Sequence, residues 1–128
     1  MKLGTLVSKH SLDGELVVIS RDLKYMALAN DIVPTLRQAL ENWGVVKESL
    51  EARYAQLNKG WIEDTVPYAE DRLHSALPRT WLFADGSAYI QHIKLVRKAR
   101  NAALPETLET VPLMYQGECG QFLRPHED

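Results

Sequence analysis

One segment, residues 85 to 100, carries side chains whose types and spacing could do metal and acid–base chemistry. On an α-helix, which turns about 100° per residue, Asp85, Tyr89 and His92 fall within about 60° of one another. Arg100 lies at the margin of the same face. A carboxylate is a hard oxygen ligand for a divalent cation, and a neutral imidazole can take a proton from a water beside it. The spacing therefore indicates that Asp85 and His92 can share one site.

Each of these residues also has an ordinary structural interpretation. Asp85 is of a type that caps helix N-termini, and His92 could be a partly buried histidine that is hydrogen-bonded within the core. Propensity alone favours these two interpretations. Tyr89 is more often a packing residue than a substrate contact, and Arg100 is more often a partner in a surface ion pair.

Basic residues on the other side of this helix do not predict a binding patch. Lys94, Arg97 and Lys98 fall opposite His92 by the helical period and are typical of a solvated face. The four histidines and Cys119 lack the spacing of a zinc site. Cys119 follows an acidic neighbour, which favours an unreactive thiol over a nucleophile.

Two further classes of enzyme are disfavoured by the glycines. The stretch Gly86-Ser87-Ala88 lacks the second glycine of a nucleophile elbow, and Ser87 falls across the helical wheel from His92. The remaining glycines are dispersed and form no phosphate-binding loop. The sequence therefore favours neither a serine hydrolase nor a nucleotide-binding enzyme.

The elements that must position these side chains begin with a predicted β-hairpin. Residues 2–7 and 15–20 are short runs rich in β-branched residues, and the turn-forming cluster between them ends in Asp13-Gly14. Two antiparallel helices joined tightly at Gly44 are predicted to follow. The first has Pro34 in its first turn and an apolar stripe of Leu36, Leu40 and Trp43. The second has a stripe of Val46, Leu50, Tyr54 and Leu57, and it ends at Asn58-Lys59-Gly60.

The second half of the chain contains fewer regular patterns. Residues 61–78 hold two prolines and no sustained period, which indicates a connector. A third helix is predicted over residues 88–103, with capping residues at 84–87 and an end before Pro105. The tail from Pro105 onward is predicted to be a loop with at most a short strand around residues 113–115.

Composition limits the class of protein. The chain has 128 residues, 15 Lys and Arg, 17 Asp and Glu, one Cys and a formal net charge of −2. A chain of this length can bury a hydrophobic core of its own. Its small negative net charge does not favour binding to nucleic acid or to an anionic membrane. One cysteine fits a reducing, cytoplasmic setting. No apolar run is long enough for a spanning helix or a signal peptide.

The residues now considered together resemble the bacterial branch of the fumarylacetoacetate hydrolase family. Residues 81–100, WLFADGSAYIQHIKLVRKAR, and residues 112–117, PLMYQG, carry the most specific likeness. The stretches MKLGTL, LVVISRDL and PTLRQAL, at residues 1–6, 16–23 and 34–40, are similar to the small N-terminal domain of that branch. The likeness extends over nearly the whole chain.

The resemblance implies a metal-dependent hydrolase. In such enzymes an aspartate, a Glu-x-Glu pair and a further aspartate hold Mg²⁺ or Ca²⁺, which chelates the dicarbonyl of the substrate. A histidine seven residues after the first aspartate activates water for hydrolysis of a carbon–carbon bond. The resemblance thereby assigns the metal ligand to Asp85 and the general base to His92. It assigns substrate contacts to Tyr115, Tyr89 and Arg100, with Arg97 as the alternative to Arg100.

The expected fold class is α+β. Residues 1–78 are predicted to form the N-terminal domain with its connector, built from the β-hairpin and two antiparallel helices. Residues 79–128 are predicted to form the first helix and loop of the catalytic domain. Because no Glu-x-Glu follows Tyr115, we expect the chain to be the N-terminal part of a longer enzyme.

Two hypotheses about function follow. The first is a cytoplasmic, homo-oligomeric enzyme that uses Mg²⁺ or Ca²⁺ to cleave a diketo acid, with no nucleic-acid or membrane partner. On this hypothesis the isolated chain neither binds metal tightly nor turns over acylpyruvates, because one carboxylate and one imidazole are too few ligands. The second is a non-catalytic remnant or assembly module that folds and self-associates without activity.

Overall fold

The computed structural model describes residues 1–127 and confirms a mixed α+β chain. Two compact units make up the fold: unit 1 comprises residues 1–80 and 120–127, and unit 2 comprises Trp81–Cys119. The division into domains at residue 78 stays a prediction. No helix in the part of the chain that the structure describes combines the length and apolar character needed to cross a membrane.

A four-stranded antiparallel sheet forms the centre of unit 1. The strands are β1 (Lys2–Leu6), β2 (Glu15–Ile19), β3 (Tyr25–Leu28) and β4 (Thr65–Pro67), in the spatial order β1-β2-β3-β4. The hairpin of β1 and β2 is confirmed, with Lys2 opposite Ile19 and Leu6 opposite Glu15. Strands β3 and β4 were not predicted, because segments of three or four residues are too short to show an alternating pattern.

Two helices follow β3, as predicted, but the break between them lies at Asn42 and not at Gly44. Helix α1 is Leu36–Glu41 and helix α2 is Trp43–Asn58. Thr35 is the N-cap of α1, since its side chain accepts a hydrogen bond from the backbone N–H of Gln38, so Pro34 lies before the helix and not in its first turn. The antiparallel arrangement of the two helices stays a prediction.

The predicted end of α2 is confirmed. Gly60 adopts a φ of 70°, and the Trp61 N–H donates to the Gln56 carbonyl at 3.0 Å. This is a Schellman closure, which needs a residue that tolerates a left-handed conformation. The apolar stripe of α1 is only partly as predicted, since Leu36 and Ala39 are buried whereas Leu40 is 51% exposed.

Both faces of the sheet are covered. One face packs against the two helices through a buried core of Leu16, Val18, Ala27, Ala29, Val33, Leu36, Ala39, Val46, Leu50 and Leu57. The other face has a smaller core of Leu6, Val17, Ile19 and Met26, against which Val66, Tyr68 and Leu73 pack. Successive strand residues point to opposite faces. The unbroken apolar run of β2 therefore reflects burial on both sides.

A buried carboxylate lies in the loop between β1 and β2. The Asp13 side chain is only 9% exposed, and it accepts two hydrogen bonds from Arg79, at 2.8 Å from Nε and 2.7 Å from Nη2. Arg37 Nη2 is 3.5 Å from the same carboxylate. The hydrogen bonds from Arg79 hold the pKa of Asp13 below its ordinary value, against the opposing effect of burial.

This ion pair predicts how the stability of the fold responds to acid. Because the pKa of Asp13 is lowered by folding, its contribution is present above the unfolded pKa and is lost as the pH falls below about 4. At pH 6, Asp13→Asn is expected to lower the free energy of unfolding by about 1–2 kcal/mol. Urea denaturation should show this difference shrinking between pH 6 and pH 3. A difference that stays constant over that range, as expected for the exposed control Glu48→Gln, would contradict the prediction.

Unit 2 contains a two-stranded antiparallel sheet and one helix. Strand β5 (Ala84–Ser87) pairs with strand β6 (Leu113–Gln116), and helix α3 (Ile90–Ala99) lies between them in sequence. The short strand predicted around residues 113–115 is confirmed by β6. Within Trp81–Cys119, all of which the structure describes, Ile93 alone is buried.

Helix α3 is shorter than the predicted range of 88–103. Its C-cap is Arg100, and Asn101 follows with a φ of 51°. The Ala102 N–H donates to the Arg97 carbonyl at 2.9 Å, and the Asn101 N–H donates to the Lys98 carbonyl at 3.1 Å. These are the two bonds of a Schellman motif, in which asparagine replaces the usual glycine. The helix therefore ends well before Pro105.

Candidate functional site

Asp85 lies in a strand and not on the helix. The sequence placed it near the start of the third helix, but residues 84–87 are β5 and the N-cap of α3 is Tyr89. Both the shared helical face and the N-cap interpretation of Asp85 are therefore wrong. The physical reason is that Asp85, Gly86 and Ser87 have low helix propensity, and β6 offers them a backbone partner.

The strand brings Asp85 together with another predicted site residue. In the register of β5 and β6, Asp85 is directly opposite Tyr115. Residues opposite each other on antiparallel strands project from the same face of the sheet, with Cβ atoms about 5 Å apart. The structure thus pairs the predicted metal ligand with the predicted substrate-contacting tyrosine, although they are 30 positions apart in the sequence.

His92 lies in the first turn of α3 and is exposed. The interpretation of His92 as a partly buried core histidine is therefore wrong, and the neighbouring Ile93 is the residue that packs inward, at 6% exposure. Tyr89 and Tyr115 are also exposed, at 79% and 64%. These exposures leave the polar atoms of the predicted site open to a ligand.

A surface concavity of about 410 Å³ joins the end of β5 to the start of α3. It is lined by Asp85, Gly86, Ser87, Ala88, Tyr89 and His92. Three of the predicted site residues, Asp85, Tyr89 and His92, therefore line one space. The sequence grouped these three on one helical face, and the structure groups them through a strand, a short turn and a helix.

A second concavity, of about 220 Å³, is also lined by His92. Its lining residues are Ser87, His92, Ile93, Val96, Arg97, Arg100, Ala102 and Leu113. Both arginines that the sequence left as alternatives contribute to it. Arg97 is half-buried and lies with His92, so its predicted place on the opposite, solvated face is wrong. Two guanidinium groups and a hydroxyl in one concavity can bind a carboxylate.

Ser87 is a site residue that the sequence analysis missed. It lines both concavities together with His92, whereas helical numbering placed it across the wheel. Because residue 87 ends a strand, the 100° rotation does not apply to it. The pairing of Ser87 with Leu113 could have been inferred only by aligning the predicted strand at 113–115 with residues 84–87.

The donor set tests whether these residues fit a divalent cation. Asp85 supplies an exposed carboxylate, and it is the acidic residue among the six that line the larger concavity. Within residues 1–127, no three His, Cys, Asp or Glu side chains lie together in a way that could hold a metal ion. Since Mg²⁺ and Ca²⁺ take six or more ligands, mostly oxygen, Asp85 fits as one ligand and the described residues do not complete a site.

Comparison with known families identifies the N-terminal part of the chain. A family model described as fumarylacetoacetase N-terminal domain 2 matches residues 1–79. This range contains the whole four-stranded sheet and both helices of unit 1. A search of the curated proteins found no match.

Proposed function

The chain belongs to the fumarylacetoacetase N-terminal domain 2 family, and from that premise we propose that it works as part of a hydrolase that cleaves a carbon–carbon bond in acylpyruvate or diketo-acid substrates. The position of His92 is the observation that supports this proposal most. It lines a concavity with the Asp85 carboxylate and a second concavity with Arg97 and Arg100. A diketo acid has both groups that such a site would recognise, a dicarbonyl and a carboxylate.

The roles of the residues follow from their chemistry. His92 takes a proton from the attacking water, since an exposed neutral imidazole can act as a general base near neutral pH. Arg100, or Arg97 beside it, binds the carboxylate of the substrate. Tyr115 and Tyr89 contact the substrate around Asp85. The roles of His92, Tyr89 and the two arginines rest on the resemblance of the motif and on their placement around the two concavities. The role of Tyr115 rests on the resemblance and on its position opposite Asp85.

Asp85 would contribute one carboxylate to a site for Mg²⁺ or Ca²⁺ that the described residues do not complete. A divalent cation bound there would polarise the carbonyl and stabilise the negative charge that develops on the leaving enolate. Asp85 is suited to this role because its carboxylate is exposed, at a position directly opposite Tyr115.

We expect a diketo acid as the small-molecule partner, a homo-oligomer and a cytoplasmic location. The alternative, a non-catalytic remnant or assembly module, is not favoured, because the matching family is named as the N-terminal domain of a fumarylacetoacetase.

Calorimetric titration with Mg²⁺ tests the role of Asp85. In protein expressed from the complete reading frame, Asp85→Asn is expected to raise the Kd for Mg²⁺ at least about tenfold, since even indirect partners of metal ligands are worth 10- to 100-fold. The exposed control Asp64→Asn should leave the Kd unchanged. The 128-residue chain alone is expected to show no micromolar site, because its residues 1–127 bring too few oxygen ligands together. An unchanged Kd in Asp85→Asn would refute the role of Asp85. A micromolar site on the 128-residue chain would contradict the expectation that this chain brings too few ligands together.

A further inference from the structure

The two chain segments that lead into and out of unit 2 follow a single register. Arg79 forms a β-bridge with Gln121 in unit 1, and Asp85 is opposite Tyr115 in unit 2. Asp85 lies six residues after Arg79, and Tyr115 lies six residues before Gln121, so the two pairs belong to one register. The Gly117 N–H donates to the Phe83 carbonyl at 2.9 Å, at the position that the same register requires.

Strands β5 and β6 bury too few of their own side chains to fix this register. All four residues of β5 are exposed, and only Leu113 of β6 is half-buried. A buried face normally fixes register, because a slip by one residue turns every side chain to the other face. A two-stranded sheet without such a face is prone to slippage. A slip of one residue would separate Asp85 from Tyr115.

The side chain of Arg79 ties the start of the first segment to unit 1. Its guanidinium donates two hydrogen bonds, at 2.7 and 2.8 Å, to the buried carboxylate of Asp13. A planar guanidinium on a carboxylate fixes direction as well as distance. The Phe122 N–H, one residue after the bridge, donates to the Pro78 carbonyl at 2.8 Å.

The loop that carries Asp13 is itself restrained. Gly14 has a φ of 66°, and a Cβ at this position would lie 2.5 Å from the carbonyl oxygen of Leu6. The backbone therefore requires glycine here, and the Asp13 N–H is bound to the Ser11 hydroxyl at 3.1 Å. Asp13 thus presents its carboxylate from a fixed position next to the sheet.

We propose that the Asp13–Arg79 ion pair sets the register of β5 and β6, so that Asp13 and Arg79 are positioning residues for the pair formed by Asp85 and Tyr115. The bridge between Arg79 and Gln121 fixes which residues face each other where the two segments begin to pair. Chain continuity carries that choice to Asp85, six residues later. The register itself does not depend on the proposed function, whereas its consequence for catalysis does.

The competing explanation is local packing at Gly117. A Cβ on Gly117 would clash with the ring of Phe83, so a side chain fits at that position in the observed register only if the Phe83 ring moves. A slip would bring Gln116 or Glu118 to the Phe83 ring. If this exclusion is sufficient, the register survives without the ion pair.

Nuclear magnetic resonance of the 128-residue chain distinguishes the two explanations without metal or substrate. In the wild type, cross-strand nuclear Overhauser effects should connect Asp85 with Tyr115 and Ser87 with Leu113. In Arg79→Met these effects are expected to weaken or shift by one residue, and amide exchange in β5 and β6 to accelerate at least about tenfold. The nuclear Overhauser effects between β1 and β2 should persist.

The matched control is Arg37→Met, which removes the other guanidinium near Asp13 but lies outside the two segments. It should leave the register of β5 and β6 intact. Arg79→Lys, which keeps the charge but loses the two parallel bonds, should give an intermediate result and serves if Arg79→Met does not fold. An unchanged register in Arg79→Met, or the same loss of register in Arg37→Met, would overturn the proposal. Neither result bears on whether Asp85 binds metal.

Discussion

Replacing His92 by alanine is expected to lower kcat for acylpyruvate hydrolysis by roughly 10²- to 10⁴-fold, in protein expressed from the complete reading frame, because a positioned general base contributes about that factor. His92 is exposed and lines both concavities of unit 2. The truncation therefore removes an imidazole from the site without opening a hole in a packed core. The rate is followed by the loss of absorbance of the enolised diketo acid at neutral pH.

Gln91→Ala is the matched control for this variant. Gln91 is the preceding residue of α3, is exposed, and is not among the residues that line either concavity. Its kcat should stay within about twofold of the wild type, since surface substitutions away from a site usually have small effects. Near-normal activity in His92→Ala would remove the general base from the proposal and leave the carbon–carbon hydrolase without its supporting observation.

The largest effect on stability is expected at Leu50. Its side chain is fully buried in α2, within the core between the helices and the sheet. Leu50→Ala removes apolar contacts and leaves a cavity, which together cost about 2–5 kcal/mol in comparable sites. Urea denaturation followed by far-ultraviolet circular dichroism at pH 7 measures the change in the free energy of unfolding.

Leu40→Ala serves as the comparison for the same substitution at an exposed position. Leu40 is 51% exposed in α1, although the sequence pattern assigned it to the apolar stripe. Its truncation is expected to cost less than about 1 kcal/mol. Equal losses in the two variants would mean that α1 presents Leu40 to the core, as the sequence predicted and the structure contradicts.

Local patterns were sufficient to predict much of unit 1. The β-branched runs and the Asp13-Gly14 turn predicted the hairpin, and Gly60 predicted the end of α2. What the patterns missed depends on partners that are distant in the sequence. Strand β4 pairs with β3 across some 40 residues, and its three residues show no period of their own. Such a strand exists because the edge of β3 is available to it.

Asp85 and His92 lie near each other for a different reason from the one that the helical period gave. Asp85 and His92 line one concavity, as expected, but Asp85 reaches it from a strand. Helical periodicity could not detect this, because residues 84–87 are extended only by virtue of their pairing with β6. The resemblance to the hydrolase motif gave the grouping independently of secondary structure. The roles of these residues stay predictions until the variants are measured.

The position of the central sheet within the chain has a consequence for the order of folding. All four of its strands, and both helices that cover it, lie within the first 67 residues. At about 5–20 residues per second, a ribosome needs roughly 2–10 s more to reach the end of β6 at Gln116. The four-stranded sheet can therefore form before Tyr115 has been synthesised. We expect the core of unit 1 to have folded before the segment that bears Asp85 and His92 can complete its own sheet.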